Sequence, residues 1–325
     1  MDGADRASAR PRLIVAGNAN VDLLLGPIEP WPRVGTEVIA ERLVWRVGGA
    51  LGNSALALAG LGVAARLVWD VGDDPLGSWL QARLEATGSE PRVLPAATSV
   101  TVGVTHPDGE RTFLSHLGHL AASDPEALAR SIASASPGDH LLVGGSFLLP
   151  RWRPALPTLL ARARTRSVVT ALDTGWPSGG WNQAVRSELL ATLAHVDLFL
   201  PNLDEARGLL GAPEASPHGA LRALRPLVAG TTVLKLGSAG ACRLDRRRVD
   251  HVPAPQVAVV DTVGAGDTFN AALLAARVAG LDWHAALEAA VMVASQAIAT
   301  SPRRYLAWDD LRRLVGGSAA STGLS

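Results

Sequence analysis

The chain has 325 residues, with 30 basic side chains balanced by 30 acidic ones, so no net charge directs it to nucleic acid or an anionic membrane surface. Its hydrophobic share of 48% is enough for the core of one large α/β domain or two smaller ones. Apolar runs are broken by Arg, Asp, Gly or Pro before membrane-spanning length. The one cysteine, Cys242, excludes an intramolecular disulfide framework and suits a reducing cytoplasm.

Residues 1–12 are polar and Arg-bearing, lack the apolar core of a secretory signal, and read as a disordered start. Strand-like apolar runs follow at Leu13–Gly17, Leu67–Val71, His140–Gly144, Ser167–Asp173, Leu198–Pro201, Thr232–Leu236 and Ala241–Leu244. Segments of helical period lie between them, at Leu76–Ala86, Pro125–Ala135, Ala155–Arg164, Gln183–Ala194 and Leu203–Leu210. Asp124-Pro125 predicts a capped start with proline at the first helical position. Buried strands interleaved with helices predict an α/β fold with a mostly parallel sheet covered on both faces.

Residues 21–46 and 99–117 break that rhythm. The first piece bears prolines and alternates around Glu37–Trp45. The second reads as strands Val100–Thr105 and Arg111–Leu117, joined through an Asp108-Gly109 turn. The two are expected to pair as a small sheet projecting from a core of residues 13–20, 47–98 and 118–315. The Gly/Ser-rich residues 316–325 read as a flexible tail.

The string Asp261-Thr262-Val263-Gly264-Ala265-Gly266-Asp267-Thr268-Phe269 carries the chemistry. Gly264 and Gly266 permit positive φ and close backbone approach, so successive N–H groups can point into one cavity at a helix start. Asp267 is expected to stay ionised beside that phosphate-binding turn, where a base must stand to take a proton from an attacking hydroxyl. A helix cap is the plainer role for such a residue.

The string resembles the signature of the ribokinase-like (phosphofructokinase-B type) carbohydrate kinases, Asp-Thr-x-Gly-Ala-Gly-Asp-x-Phe, at every specified position. The resemblance runs from Leu13 to about Ser301. It implies a three-layer αβα, doubly wound sheet with a small β-sheet lid (residues 21–46 and 99–117), and transfer of the γ-phosphoryl of ATP to a sugar or polyol hydroxyl. It also implies that Asp267 is the base and that the backbone of Gly264, Ala265 and Gly266 forms the anion hole. By the same resemblance Asn20, Asp22, Gly48, Gly49 and Asn53 bind the acceptor, and Lys235, Gly237, Ser238 and Gly240 lie along ATP. Asn202 and Glu205 organise Mg²⁺, partly through water. Asp261 and Val263 stand where some members offer backbone carbonyls to a monovalent cation, K⁺. Two copies would pair through the lid.

Taken by themselves, several of these residues have plainer roles. Asn53 suits a helix cap, and Asn202 with Glu205 suits a helix N-terminus with an acidic first turn. The only lysine in the chain, Lys235, suits a solvated surface, as does Arg111 on the lid. Gly145-Ser146-Phe147 lacks the glutamate that holds ribose in ribokinases, Asp173-Thr174-Gly175 replaces a common Asp-Pro-Asn, and Ala299-Thr300-Ser301-Pro302 lacks the usual Gly-Ala pair. These departures weigh against ribose and leave the nucleotide and cation preferences open. A nucleoside kinase of the same fold and a catalytically silent sugar-binding regulator stand as alternatives. The absence of a Walker A sequence excludes a P-loop kinase. A Rossmann turn at Gly48–Gly52 would need glycines where Ala50 and Asn53 stand. His116 and His119 have His-x-x-His spacing with no evident third metal ligand.

Overall fold

The computed structural model describes residues 12–107, 111–245 and 248–321, with backbone alone over 316–321. The chain opens with β1 (Leu13–Gly17), β2 (Asn20–Leu25), β3 (Leu43–Gly48), α1 (Ala50–Leu61), β4 (Ala65–Val68), β5 (Asp70–Gly72) and α2 (Pro75–Leu84). Next come β6 (Arg92–Leu94), β7 (Val100–Thr105), β8 (Arg111–His116), α3 (His119–Ala122), α4 (Glu126–Ala133), β9 (His140–Gly144), α5 (Leu156–Thr165), β10 (Val169–Asp173) and α6 (Gln183–Leu193). The last part holds β11 (Leu198–Phe199), α7 (Leu203–Leu210), α8 (Pro217–Leu224), β12 (Thr231–Lys235), β13 (Ala241–Asp245), β14 (Arg248–Val252), α9 (Ala265–Val278), α10 (Trp283–Ile298) and α11 (Trp308–Ser321).

Eight strands form one sheet in the order β14-β13-β12-β11-β10-β9-β1-β4, parallel from β4 to β12 and closed by an antiparallel hairpin, β13–β14. The residues of β1 show why its run is apolar throughout. Leu13 and Val15 pack with α1, α9 and α10, while Ile14 and Ala16 face the layer built by α4 to α8. A strand buried on both sides has no reason to alternate polar residues. From β1 the chain steps outward to β4 and later returns on the other side through β9. That reversal opens a crevice beyond the carboxyl ends of β1 and β9, where open α/β sheets bind ligands.

A second sheet, in the order β3-β2-β7-β8, joins the two segments that broke the α/β rhythm. The strands β2 and β7 are parallel, while the two outer pairs are antiparallel. Because β3 belongs to this small sheet, the Gly48–Gly52 turn does not follow a strand of the parallel sheet, and the Rossmann arrangement is absent there.

Three expectations shift. The run Leu67–Val71 breaks at Trp69 into β4 and β5, and β5 pairs with β6 in a separate two-stranded ribbon. The helix expected from Pro125 begins at Glu126, although Asp124 Oδ1 does accept the Glu126 N–H, at 2.9 Å. The last helix, anchored by buried Leu311 and Val315, continues to Ser321 through residues read as a tail. Residues 1–11 and 322–325 of the two predicted loose ends lie outside the described residues.

Candidate active site

Gly264 caps the N-terminus of α9 in the left-handed region, at φ 78° and ψ 9°. A Cβ there would lie 2.6–2.8 Å from the Asn53 side-chain amide, so the contact itself also requires glycine. The close approach lets Asn53 Nδ2 donate to Asp267 Oδ2 at 2.9 Å, and Ser54 Oγ donates to the Asp267 carbonyl at 3.2 Å. Asn53 is therefore no cap, being already inside α1 with its own N–H bonded to Gly49 O. Of the three amides expected to form an anion hole, that of Ala265 donates to Thr262 O at 3.1 Å. The Gly266 and Asp267 amides sit in the first turn, where a helix offers them no acceptor.

Beneath this bend lies the single lysine. Lys235 ends β12, its side chain is 12% exposed, and its Nζ lies 2.6 Å from Asp173 Oδ2 and 3.4 Å from Asn270 Oδ1. A Cβ on Gly266 would come within 3.3 Å of that Nζ. The solvated-surface alternative for Lys235 is thus overturned. Asn270 Nδ2 also donates to Asp173 Oδ2. Burial alone would lower the Lys235 ammonium, but Asp173, Glu205 and Asp267 hold it above its usual range.

Asn202 and Glu205 form a reciprocal capping box at the start of α7, with Asn202 N–H to Glu205 Oε2 and Glu205 N–H to Asn202 Oδ1 both at 2.8 Å. The helix-start alternative is therefore realised, yet Glu205 also faces the lysine. Burial first, and then repulsion from Asp173, pushes its carboxyl up to about 7. The same two causes push Asp267 up to about 7 against the pull of Lys235 and Asn53, so near neutrality it is divided between its two forms rather than fully ionised. Three carboxyl groups, Asp173, Glu205 and Asp267, face one ammonium. Among the described residues no three acidic or His side chains are placed to hold a metal by themselves, so this surplus of acid suits a hydrated Mg²⁺ that shares its ligands with phosphates.

On the acceptor side, Asn20 Nδ2 donates to Asp22 Oδ1 at 2.7 Å, and Asn18 Nδ2 lies 3.3 Å from Asn20 Oδ1. Burial raises the Asp22 carboxyl, with Arg46 opposing it. A Cβ on Gly48 would fall 2.1–2.5 Å from the Asp22 carboxylate, and one on Gly49 would fall 2.4 Å from Asn18 O. Asn18 then holds the start of α1 through its Oδ1, which accepts the Ala50 N–H at 3.1 Å.

Asp261 and Val263 meet guanidinium groups. Arg46 Nη1 bonds Asp261 Oδ2, Arg111 Nη2 lies 3.0 Å from Oδ1, and Arg303 Nη2 lies 3.6 Å from Oδ2 while also donating to Val263 O. The Asp261 carboxyl loses solvation by burial but is held below its usual range by the Val263 N–H and these cations. The Val263 carbonyl is already taken by the Arg303 guanidinium, and three guanidiniums crowd the Asp261 carboxylate, so these residues as arranged do not fit a monovalent cation. The solvated alternative for Arg111 is overturned as well.

Gly237 and Ser238 are exposed at the end of β12, where a nucleotide could lie along them. Gly240 serves the turn, since its φ is 89° and a Cβ would meet Val252 O at 2.0 Å. His119 is buried, where burial pushes it down to about 4, and its Nδ1 accepts the Ser99 N–H, while His116 lies exposed, so the two rings do not face one metal position. Burial pushes the Cys242 thiol up to about 11, which makes it inert. Asp173, Asn270, Asn18, Arg46 and Arg303 were missed as site residues. Asp173 did carry a signal, an acid closing a buried apolar strand at the sheet's ligand-binding end.

Among the described residues no helix is long and apolar enough to cross a membrane. Residues 11–306 match the pfkB family carbohydrate kinases. The chain is 33% identical over 244 residues to a 1-phosphofructokinase of Haloferax volcanii, covering 72% of this chain and 74% of that one. It is 27% identical over 292 residues to a ribokinase of Bacillus subtilis, covering 88% and 92%. The structure overlays a ribokinase of Thermotoga maritima with a TM-score of 0.77 at 19% identity, covering 94% of this chain and 99% of that one. The small sheet, the glycine bend and the match across nearly the whole length agree: the chain belongs to the pfkB family of carbohydrate kinases.

Proposed function

We propose that this kinase moves the γ-phosphoryl of ATP to a hydroxyl of a sugar or related polyol, with Asp267 taking the proton. The observation that carries this reading is the hydrogen bond from Asn53 to Asp267 at the glycine bend. It fixes one carboxylate oxygen beside the first-turn amides, in a site that tunes the carboxyl to about 7, close to the working range of a general base. Asn20 and Asp22 supply an amide and a carboxylate, a pair that both donates to and accepts from neighbouring hydroxyls. Gly48 and Gly49 keep the path to them open. The Gly266 and Asp267 amides face the transferred phosphoryl, the ATP lies along Gly237 and Ser238, and Lys235 holds Asp173 in place beneath it. Mg²⁺, when bound beside Glu205 and Asp173, supplies positive charge for the phosphates. Positioning and electrostatics provide most of the rate in such a transfer.

The small sheet acts as a lid over the acceptor and excludes water, which would otherwise compete for the phosphoryl. Leu43 and Leu114 expose 55% and 56% of their surface on one face of it, and a second copy covering that face would remove them from water. The test of the reaction is ADP release with mass identification of the product across hexoses, pentoses, polyols and nucleosides. ATP turnover with a new phosphate ester on a sugar hydroxyl supports it. Turnover confined to nucleosides, or sugar binding with no turnover, would replace it.

A further inference from the structure

A cavity of about 830 Å³ lies between the small sheet and the loop around Asp261, and Asn53 is part of its wall. Five arginines (42, 46, 83, 111 and 303) line it against one acid, Asp261. Three of them converge on that acid, and Arg46 Nε also lies 3.6 Å from Asp22 Oδ2, beyond hydrogen-bond reach, so that Arg46 Nε and Nη2 and Arg111 Nε remain buried without a hydrogen-bond acceptor. Arg46, Arg111 and Arg303 are 17%, 18% and 17% exposed, so water screens little of their mutual repulsion.

The strand register explains the convergence. Asp22 stands opposite Arg46 on β3 and Thr101 on β7, and four pairs further along β7 Thr105 stands opposite Arg111 on β8. Side chains two residues apart share a face of a sheet. Arg46 and Arg111 therefore project from the two edge strands on the face that carries Asp22. Five guanidiniums that outnumber the two carboxylates they meet, Asp261 and Asp22, and hold unused N–H groups form a receptor for an anion with several oxygens.

We propose that the acceptor is an anionic sugar, carrying a phosphate or carboxylate that Arg46 and Arg111 bind while a distal hydroxyl reaches Asp267 past Asn53. This rests on the kinase reading above. It adds that charge at one end of the acceptor is the main determinant of choice.

The experiment compares ADP release with fructose, fructose 1-phosphate, fructose 6-phosphate, gluconate and sorbitol. Arg46→Gln, Arg111→Gln and the two Arg→Lys variants are measured alongside, with thermal midpoints confirming folding. The charged acceptors are expected to have the higher kcat/KM, with the phosphate and carboxylate members separating the two anions. Each Gln variant should raise KM for the charged acceptor about ten- to hundredfold more than for its neutral counterpart, with KM for ATP little changed, and Lys should restore part of the loss. Equal losses with charged and neutral acceptors would make the arginines a latch on Asp261 and overturn the proposal. A rise confined to KM for ATP would assign them to the nucleotide and also overturn it. Efficient turnover of neutral sugars alone would remove the anionic acceptor yet leave the kinase reading standing, whereas no turnover of ATP with any acceptor would remove both. Inorganic phosphate alone should raise the thermal midpoint of the parent but not of Arg46→Gln. A shift of equal size in both would count against the site even if no acceptor were turned over.

Discussion

Asn53 and Asp267 are 214 positions apart in the chain, yet Nδ2 of one lies 2.9 Å from Oδ2 of the other. The bond joins the first turns of α1 and α9 and fixes where a base can stand. Deleting the proposed base tests that reading most directly. Asp267→Asn keeps the shape and an acceptor for Asn53, so the fold should persist while kcat falls about 10²–10⁴-fold. A parental rate measured on the same acceptor would refute the assignment.

As the proposed base, Asp267 must be ionised to act, and its carboxyl is pushed up to about 7. The rate should therefore rise with pH through about 7 and be lost below it. Asn53 stabilises the charged form, so Asn53→Ala should move that limb to higher pH, with most of the lost activity recovered in alkaline buffer. A pH–rate profile for both proteins reads this out. Coincident profiles would count against the role of Asn53.

Stability should run the other way. Asp267 and Glu205 are both raised to about 7, so the folded protein retains protons that the unfolded chain has released above its ordinary carboxyl range. Their contribution is full at acid pH, below the unfolded value, and is lost as pH rises through about 7. Asp267→Asn removes one of these costs. Its thermal midpoint should exceed that of the parent at pH 8, with the gap narrowing towards pH 5.

Lys235 and Asp173 form a buried pair at 2.6 Å. Lys235→Met leaves Asp173 charged and without its cation, and should cost about 3–5 kcal/mol in urea unfolding. Adding Asp173→Asn should recover part of that loss. Additive costs in the double variant would show that the two residues do not act as a pair.

Gly264→Ala places a methyl group against the Asn53 amide at positive φ. A displacement of about 1 Å at a reacting group is enough for a loss of around 10²-fold. The variant should lose kcat on that scale while retaining its circular dichroism spectrum.

The sequence announced the parallel sheet because strands such as β1 are buried on both faces and so are apolar without interruption. It announced the glycine bend because only glycine tolerates the dihedral and the approach of Asn53. The break at Trp69 left no trace, since β4 and β5 part by pairing with different neighbours rather than by a turn residue. Arg46 and Arg303 were illegible for a different reason. In a chain whose basic residues are arginine at all positions but one, an arginine in the site looks like any other. Asn202 and Glu205 illustrate a third limit, because a capping box and a carboxylate facing the site require the same residues at the same spacing.

The protein carries a single side-chain amine, and it is folded away under the glycine bend. An acylating reagent that reacts with lysine should therefore leave that side chain untouched in the native state and mark it only after the centre has opened. Mass spectrometry of one peptide would then time the opening of the catalytic centre, with no engineered label.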